Sequence, residues 1–78
     1  MTVEELTEIY ADVLETAGVG PDTDFFDYGG DSLLATRVLS AVARRYGAEL
    51  TFEDFLQAPT PAGLATRIRS LLTAGARP

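Results

Sequence analysis

Apolar residues recur at steps of three and four in separate segments of this chain, and nowhere do they alternate with polar ones as a half-buried strand requires. That period belongs to helices that bury one face. In the first segment Val3, Leu6, Ile9, Tyr10, Val13, Leu14 and Ala17 share a side, and Glu4, Glu5, Glu8, Asp12 and Glu15 fill the other. Thr2 and Glu5 have capping-box spacing, and Gly18 can adopt the left-handed conformation that stops a helix. A first helix is predicted over roughly 2–17.

The same reasoning places a second helix from Ser32 to about Tyr46, stopped by Gly47. Leu34, Ala35, Val38, Leu39, Ala41, Val42 and Tyr46 form its inner face, with Leu33, Thr36, Arg37, Ser40, Ala43 and Arg44 outward. Thr51 and Asp54 repeat the capping-box spacing and open a short helix over about 52–57 that ends before Pro59. Thr60 and Pro61 suit the N-cap and first position of a last helix, about 61–72, with Leu64, Ala65, Ile68, Leu71 and Leu72 inward and a frayed tail at 73–78. The predicted fold is all-α: a small four-helix bundle of three main helices and one short one, in a single domain over residues 1–78.

Between the first two helices lies VGPDTDFFDYGGD, rich in residues that favour turns and yet carrying Phe25, Phe26 and Tyr28. A loop of this length needs an anchor. At least one Phe ring is predicted to be buried beneath it. Of the later pair, Phe52 and Phe55, one is assigned to the core and Phe52 also to a contact surface.

A chain of 78 residues hides only roughly 60% of the surface its unfolded form exposes, so the core must be thin. The absence of cysteine and histidine removes disulfides, thiolate metal sites, the usual catalytic base and the usual metal ligand. No apolar run is long enough to span a membrane, and the acidic start MTVEEL is unlike a secretory signal, which together imply a soluble cytoplasmic protein. A net charge of −6 argues against nucleic acid as a partner. The charge is also divided: residues 1–31 hold nine acidic side chains and no basic one, whereas all six arginines follow.

Within YGGDSLL, Ser32 has three readings. As a nucleophile of the GDSL esterase kind it would need a base, but the chain has neither histidine nor lysine. The run from Asp22 also fails as a calcium loop, since its fifth, sixth and twelfth places are Phe26, Asp27 and Leu33. As a helix cap, either Asp31 or Ser32 would serve. As an acceptor for a group added by another enzyme, Ser32 gains from the two glycines, which allow close approach, and from a helix start that favours a phosphate ester.

At this point FFDYGGDSLLATRVLSAVARRYG followed by LTFEDFLQAPTPAGLATRI resembles a carrier protein bearing 4′-phosphopantetheine. The GGDS block and the arginines after it resemble the peptidyl carriers of nonribosomal peptide synthesis more than fatty-acid carriers, whose second helix is typically acidic. The resemblance implies a protein that is not itself an enzyme. Ser32 would be esterified by a phosphopantetheinyl transferase, and the thiol-ended arm would hold an aminoacyl or acyl group as a thioester. Asp31 and Gly30 carry over from the motif for transferase recognition and the turn, the helix wheel adds Leu33, Thr36 and Arg37 as partner contacts, and the short turn from Phe52 to Gln57 adds Phe52, with the end of the long loop in the same expected patch. The implied partners are an adenylation enzyme or acyl ligase and condensation, thioesterase or tailoring enzymes. The Met1 start and the ending ARP suggest a discrete, single-domain carrier, and a monomer is expected. A polyketide or fatty-acid carrier and an unmodified helical interaction module stand as alternatives.

Overall fold

The structure, a computed structural model, describes residues 1–75 and consists of α1 (Val3–Leu14), α2 (Ser32–Tyr46), α3 (Phe52–Gln57) and α4 (Pro61–Gly75), with a short 3-10 turn at Phe26–Tyr28 in the long loop. No strand occurs among the described residues. α1 packs against α4 and α2, and α2 packs against α3. Leu6, Ile9 and Tyr10 from α1 meet Ala35, Val38 and Val42 from α2, Phe55 from α3 and Leu64, Ala65 and Ile68 from α4 in one buried cluster. Among the described residues no helix is long and apolar enough to cross a membrane.

Both capping boxes form: Thr2 with Glu5 opens α1, and Thr51 with Asp54 opens α3. The end of α1 differs from expectation. Glu15, not Gly18, takes the left-handed conformation at φ 54°, and the amides of Glu15 and Thr16 both donate to the Ala11 carbonyl. The helix therefore closes three residues earlier, Ala17 lies outside it and is exposed, and Gly18 has no positive φ. The far end of α4 differs in the opposite sense. It continues to Gly75, so residues 73–75 are helical, while 76–78 of the predicted frayed tail lie outside the described residues. Leu71 and Leu72, assigned inward by periodicity, are exposed, because this turn extends past the packed part of the bundle.

The loop is anchored as the aromatics required. Phe25 is fully buried and meets Tyr10 and Phe55 edge-on, with ring centroids 5.2 and 5.0 Å away. Phe26 is half-buried beside both Phe25 and Phe55. The Pro59 carbonyl, between α3 and α4, accepts two bonds: the Tyr10 hydroxyl donates at 2.7 Å and the Phe25 amide at 3.2 Å. Burial, with the charge of Asp24 adding to it, pushes the Tyr10 hydroxyl far above the usual tyrosine range and keeps it a donor. Slightly further on, the Ala62 amide donates to the Pro21 carbonyl, tying the loop to the first turn of α4.

Beyond their shared core, α3 is tied to α4 by Arg67, which donates to Gln57 at 3.3 Å and to Asp54. Asp54 accepts the Thr51 amide through one oxygen and the Arg67 guanidinium through the other, at 2.7 Å from Nη2. The Thr51 amide first, and Arg67 after it, hold its carboxyl below the ordinary carboxylate range. Its contribution to stability is thus present above the ordinary carboxylate pKa and is lost as pH falls through the lowered folded value.

Two outcomes follow from these bonds. Tyr10→Phe removes one of two donors to the Pro59 carbonyl and is expected to cost about 1 kcal/mol in a denaturant titration, against about 3–5 kcal/mol for Phe25→Ala. Arg67→Met is expected to move the NMR titration of the Asp54 carboxyl upward while leaving it below an ordinary aspartate, because the Thr51 amide remains.

Candidate functional site: the start of α2

The loop reaches α2 through two glycines with different tasks. Gly29 ends the 3-10 turn at φ 89°, a left-handed conformation, and a Cβ there would meet nothing within 4 Å. Gly30 is a close approach. A Cβ at that position would collide with the Cδ2 and Cε2 atoms of Phe25 and would lie 2.6 Å from the Phe25 carbonyl oxygen. That same carbonyl accepts the Gly30 amide at 3.1 Å. The residue before the site is therefore seated directly on the buried ring that anchors the loop.

Asp31 follows in extended backbone and is the N-cap: its side chain accepts the Leu34 amide at 2.9 Å and its carbonyl accepts the Ala35 amide at 2.8 Å. The cap, which the sequence leaves open between Asp31 and Ser32, thus falls to Asp31. Ser32 is released from that duty. Its side chain is exposed and its hydroxyl has no hydrogen-bond partner among the described residues. Its carbonyl accepts the Thr36 hydroxyl at 2.9 Å, which occupies Thr36 locally although that side chain also faces outward. The amides of Ser32 and Leu33 stand at the open, positive end of a 15-residue helix, where a phosphate ester is favoured.

Several large apolar side chains on the loop, α2 and α3 stand in solvent. Leu33 is 65% exposed, Phe52 is 38% exposed, and Tyr28 and Leu56 are also exposed. Phe55, the other member of the α3 pair, is fully buried, so the one core position falls there. Arg37 is exposed on the outer side of α2, one turn beyond Leu33. The residue that reading from sequence missed is Phe25 as the seat of Gly30; the adjacency of an aromatic run and a glycine pair was its only trace. Leu56, within the short turn from Phe52 to Gln57 expected to join the contact patch, lies four residues from Phe52 and so on the same face of α3.

A family model described as "Phosphopantetheine attachment site" matches residues 4–68. The chain belongs to the phosphopantetheine attachment-site family. The family's group is 4′-phosphopantetheine, held covalently, and an exposed, unbonded hydroxyl at an open helix start fits a phosphoester. Over 73 residues the chain is 42% identical to a probable non-canonical nonribosomal peptide synthetase, CymA, of Salinispora arenicola (strain CNS-205), covering 94% of this chain and 1% of the relative. Over 65 residues it is 43% identical to a dimodular nonribosomal peptide synthase of Bacillus subtilis (strain 168), covering 83% and 3%. The chain thus spans a very small part of each.

Solved relatives share the fold. A peptidyl carrier protein in complex with the phosphopantetheine transferase Sfp and coenzyme A superposes with a TM-score of 0.85 at 33% identity, covering 90% of this chain and 91% of that one. BlmI, a type-II acyl carrier protein from Streptomyces verticillus involved in bleomycin biosynthesis, gives 0.84 at 30% identity, covering 90% and 84%.

The two glycines should separate by substitution. Gly29→Asn, which keeps the left-handed backbone accessible, is expected to stay within about 1 kcal/mol of the parent. Gly30→Ala is expected to destabilise by about 1–3 kcal/mol because Phe25 must shift. Urea titrations of the two variants check the order.

Proposed function

We propose that Ser32 is the attachment point and that the domain serves as a peptidyl carrier in nonribosomal peptide or related natural-product assembly. The observation that carries this reading is the division of labour at the start of α2, where Asp31 caps the helix and leaves the Ser32 hydroxyl exposed and unbonded. Gly30, seated on Phe25, fixes where that hydroxyl stands.

The chain supplies no base for its own modification. It has neither histidine nor lysine, and the neighbouring Asp31 carboxylate is engaged with the Leu34 amide. A visiting phosphopantetheinyl transferase, using coenzyme A, would remove the Ser32 proton as the Oγ–phosphorus bond forms and the pyrophosphate P–O bond of coenzyme A breaks, releasing its adenosine bisphosphate half. The helix start then faces the phosphodiester with the free amides of Ser32 and Leu33. When bound, the phosphopantetheine arm supplies a thiol that holds an acyl or aminoacyl group as a thioester. The protein's remaining task is to present the arm to successive enzymes.

Leu33, Phe52 and Arg37 are the contacts we assign to those encounters, with exposed Leu56 and Tyr28 as further candidates. Single exposed side chains on a small face suit partners that must be released after each transfer. An adenylation enzyme or acyl ligase would load the arm, and condensation, thioesterase or tailoring enzymes would unload it. The arginines on α2, with no acidic residue on that helix, support the peptidyl reading over a fatty-acid carrier. Work in the cytoplasm, where coenzyme A is available, fits the same reading.

Incubation with coenzyme A and a broad-specificity phosphopantetheinyl transferase, followed by intact mass measurement, is expected to add one phosphopantetheine to the parent and none to Ser32→Ala. An unchanged parent mass, or an equal gain on Ser32→Ala, would sink the assignment.

A further inference from the structure

A groove of about 490 Å³ runs between α1 and α2, beginning at Leu33 beside Ser32. Its apolar side is made by Leu33, Val13 and Ala41, and its α2 rim carries Arg37, Arg44 and Arg45. None of these three arginines forms an ion pair with a carboxylate among the described residues, where the side-chain pair present is Arg67 with Asp54. One acid, Asp12, lies across the groove on α1. Three cations facing one anion leave a local positive excess on a chain whose net charge is −6. Arg44 and Arg45 also sit in the last turn of α2, where cations complement the helix's negative end, but Arg37, in mid-helix, secures neither a cap nor a contact between elements.

We infer that this groove receives an acidic amphipathic helix of a partner protein. The spacing defines the partner's chemistry. Arg37 and Arg44 are seven residues apart on one helix, two turns and roughly 10.5 Å along the axis. Carboxylates seven residues apart on a partner helix match both, and a leucine or similar side chain between them meets the apolar floor. Exposed guanidinium groups at a rim govern association rate and partner choice more than final affinity, so the contact is salt-sensitive and short-lived. Such a partner's helix, lying along α2 from Leu33, would sit beside the modified serine without covering it. The assignment concerns the enzymes a carrier visits and in that sense rests on the carrier reading, but the groove is complete in the unmodified chain.

The test uses the unmodified, isotopically labelled full chain and a synthetic amphipathic helical peptide bearing glutamates seven residues apart with leucines between. At low salt the peptide is expected to shift the NMR signals of Leu33, Val13 and Ala41 and to bind about tenfold more weakly to the exposed-site variant Arg37→Glu/Arg44→Glu. A matching peptide with lysine for glutamate is expected to leave the parent unmoved and to bind the double variant, which also shows that the variant is folded. Unmoved groove signals with the glutamate peptide, or equal shifts with the lysine peptide, would overturn the assignment. Groove shifts that grow with protein concentration alone would also overturn it, by giving the groove to a second copy of this chain. None of these outcomes depends on Ser32, so failure here and failure of the mass experiment are distinguishable.

Discussion

The Pro59 carbonyl is the point on which the molecule closes. It is a backbone acceptor between two helices, and it takes the hydroxyl of Tyr10 from the first helix and the amide of Phe25 from the long loop. A proline is well placed for this: it ends α3 without needing a donor partner of its own, while its oxygen keeps both lone pairs for others. With Phe55 edge-on to Phe25, the same few ångströms gather α1, the loop, α3 and the entry to α4. Each of those bonds is modest alone, but together they hold a segment with too little regular structure to hold itself.

From that closure the site is built outward by contact. Phe25 is fixed by Pro59 and the aromatic cluster, Gly30 lies against Phe25, Asp31 turns the chain into α2 and takes the cap, and Ser32 is left facing solvent. The loop is also tied at Pro21 to Ala62, so its two halves are anchored to the connector after α3 and to the first turn of α4. The hydroxyl is therefore both exposed and well positioned, two properties that seldom coincide on a loop.

Much of this was legible in the sequence because it depends on local rules. Period, capping boxes at Thr2 and Thr51, Gly47 after α2 and the Thr60–Pro61 start of α4 are all settled within a turn or two of chain. What was not legible depends on partners distant in sequence. Periodicity put Leu71 and Leu72 in phase with the core, but phase cannot say that the bundle ends before them. Gly18 was the obvious stop, and yet Glu15 accepted the left-handed backbone once Ala11 could take two amides. The collision that forbids a side chain at Gly30 comes from a ring five residues back, brought there by a carbonyl at 59.

The seat of the serine and the face around it share almost no side chains. Phe25, Gly30, Tyr10 and Pro59 set the position, whereas Leu33, Arg37, Arg44 and Phe52 lie outward and bear little of the packing. The second set is exposed and the first is packed, so substitutions on the outer face are expected to leave the seat in place. If Ser32 is the attachment point proposed above, a lineage could exchange its partners one surface residue at a time and keep the seat of that serine unchanged.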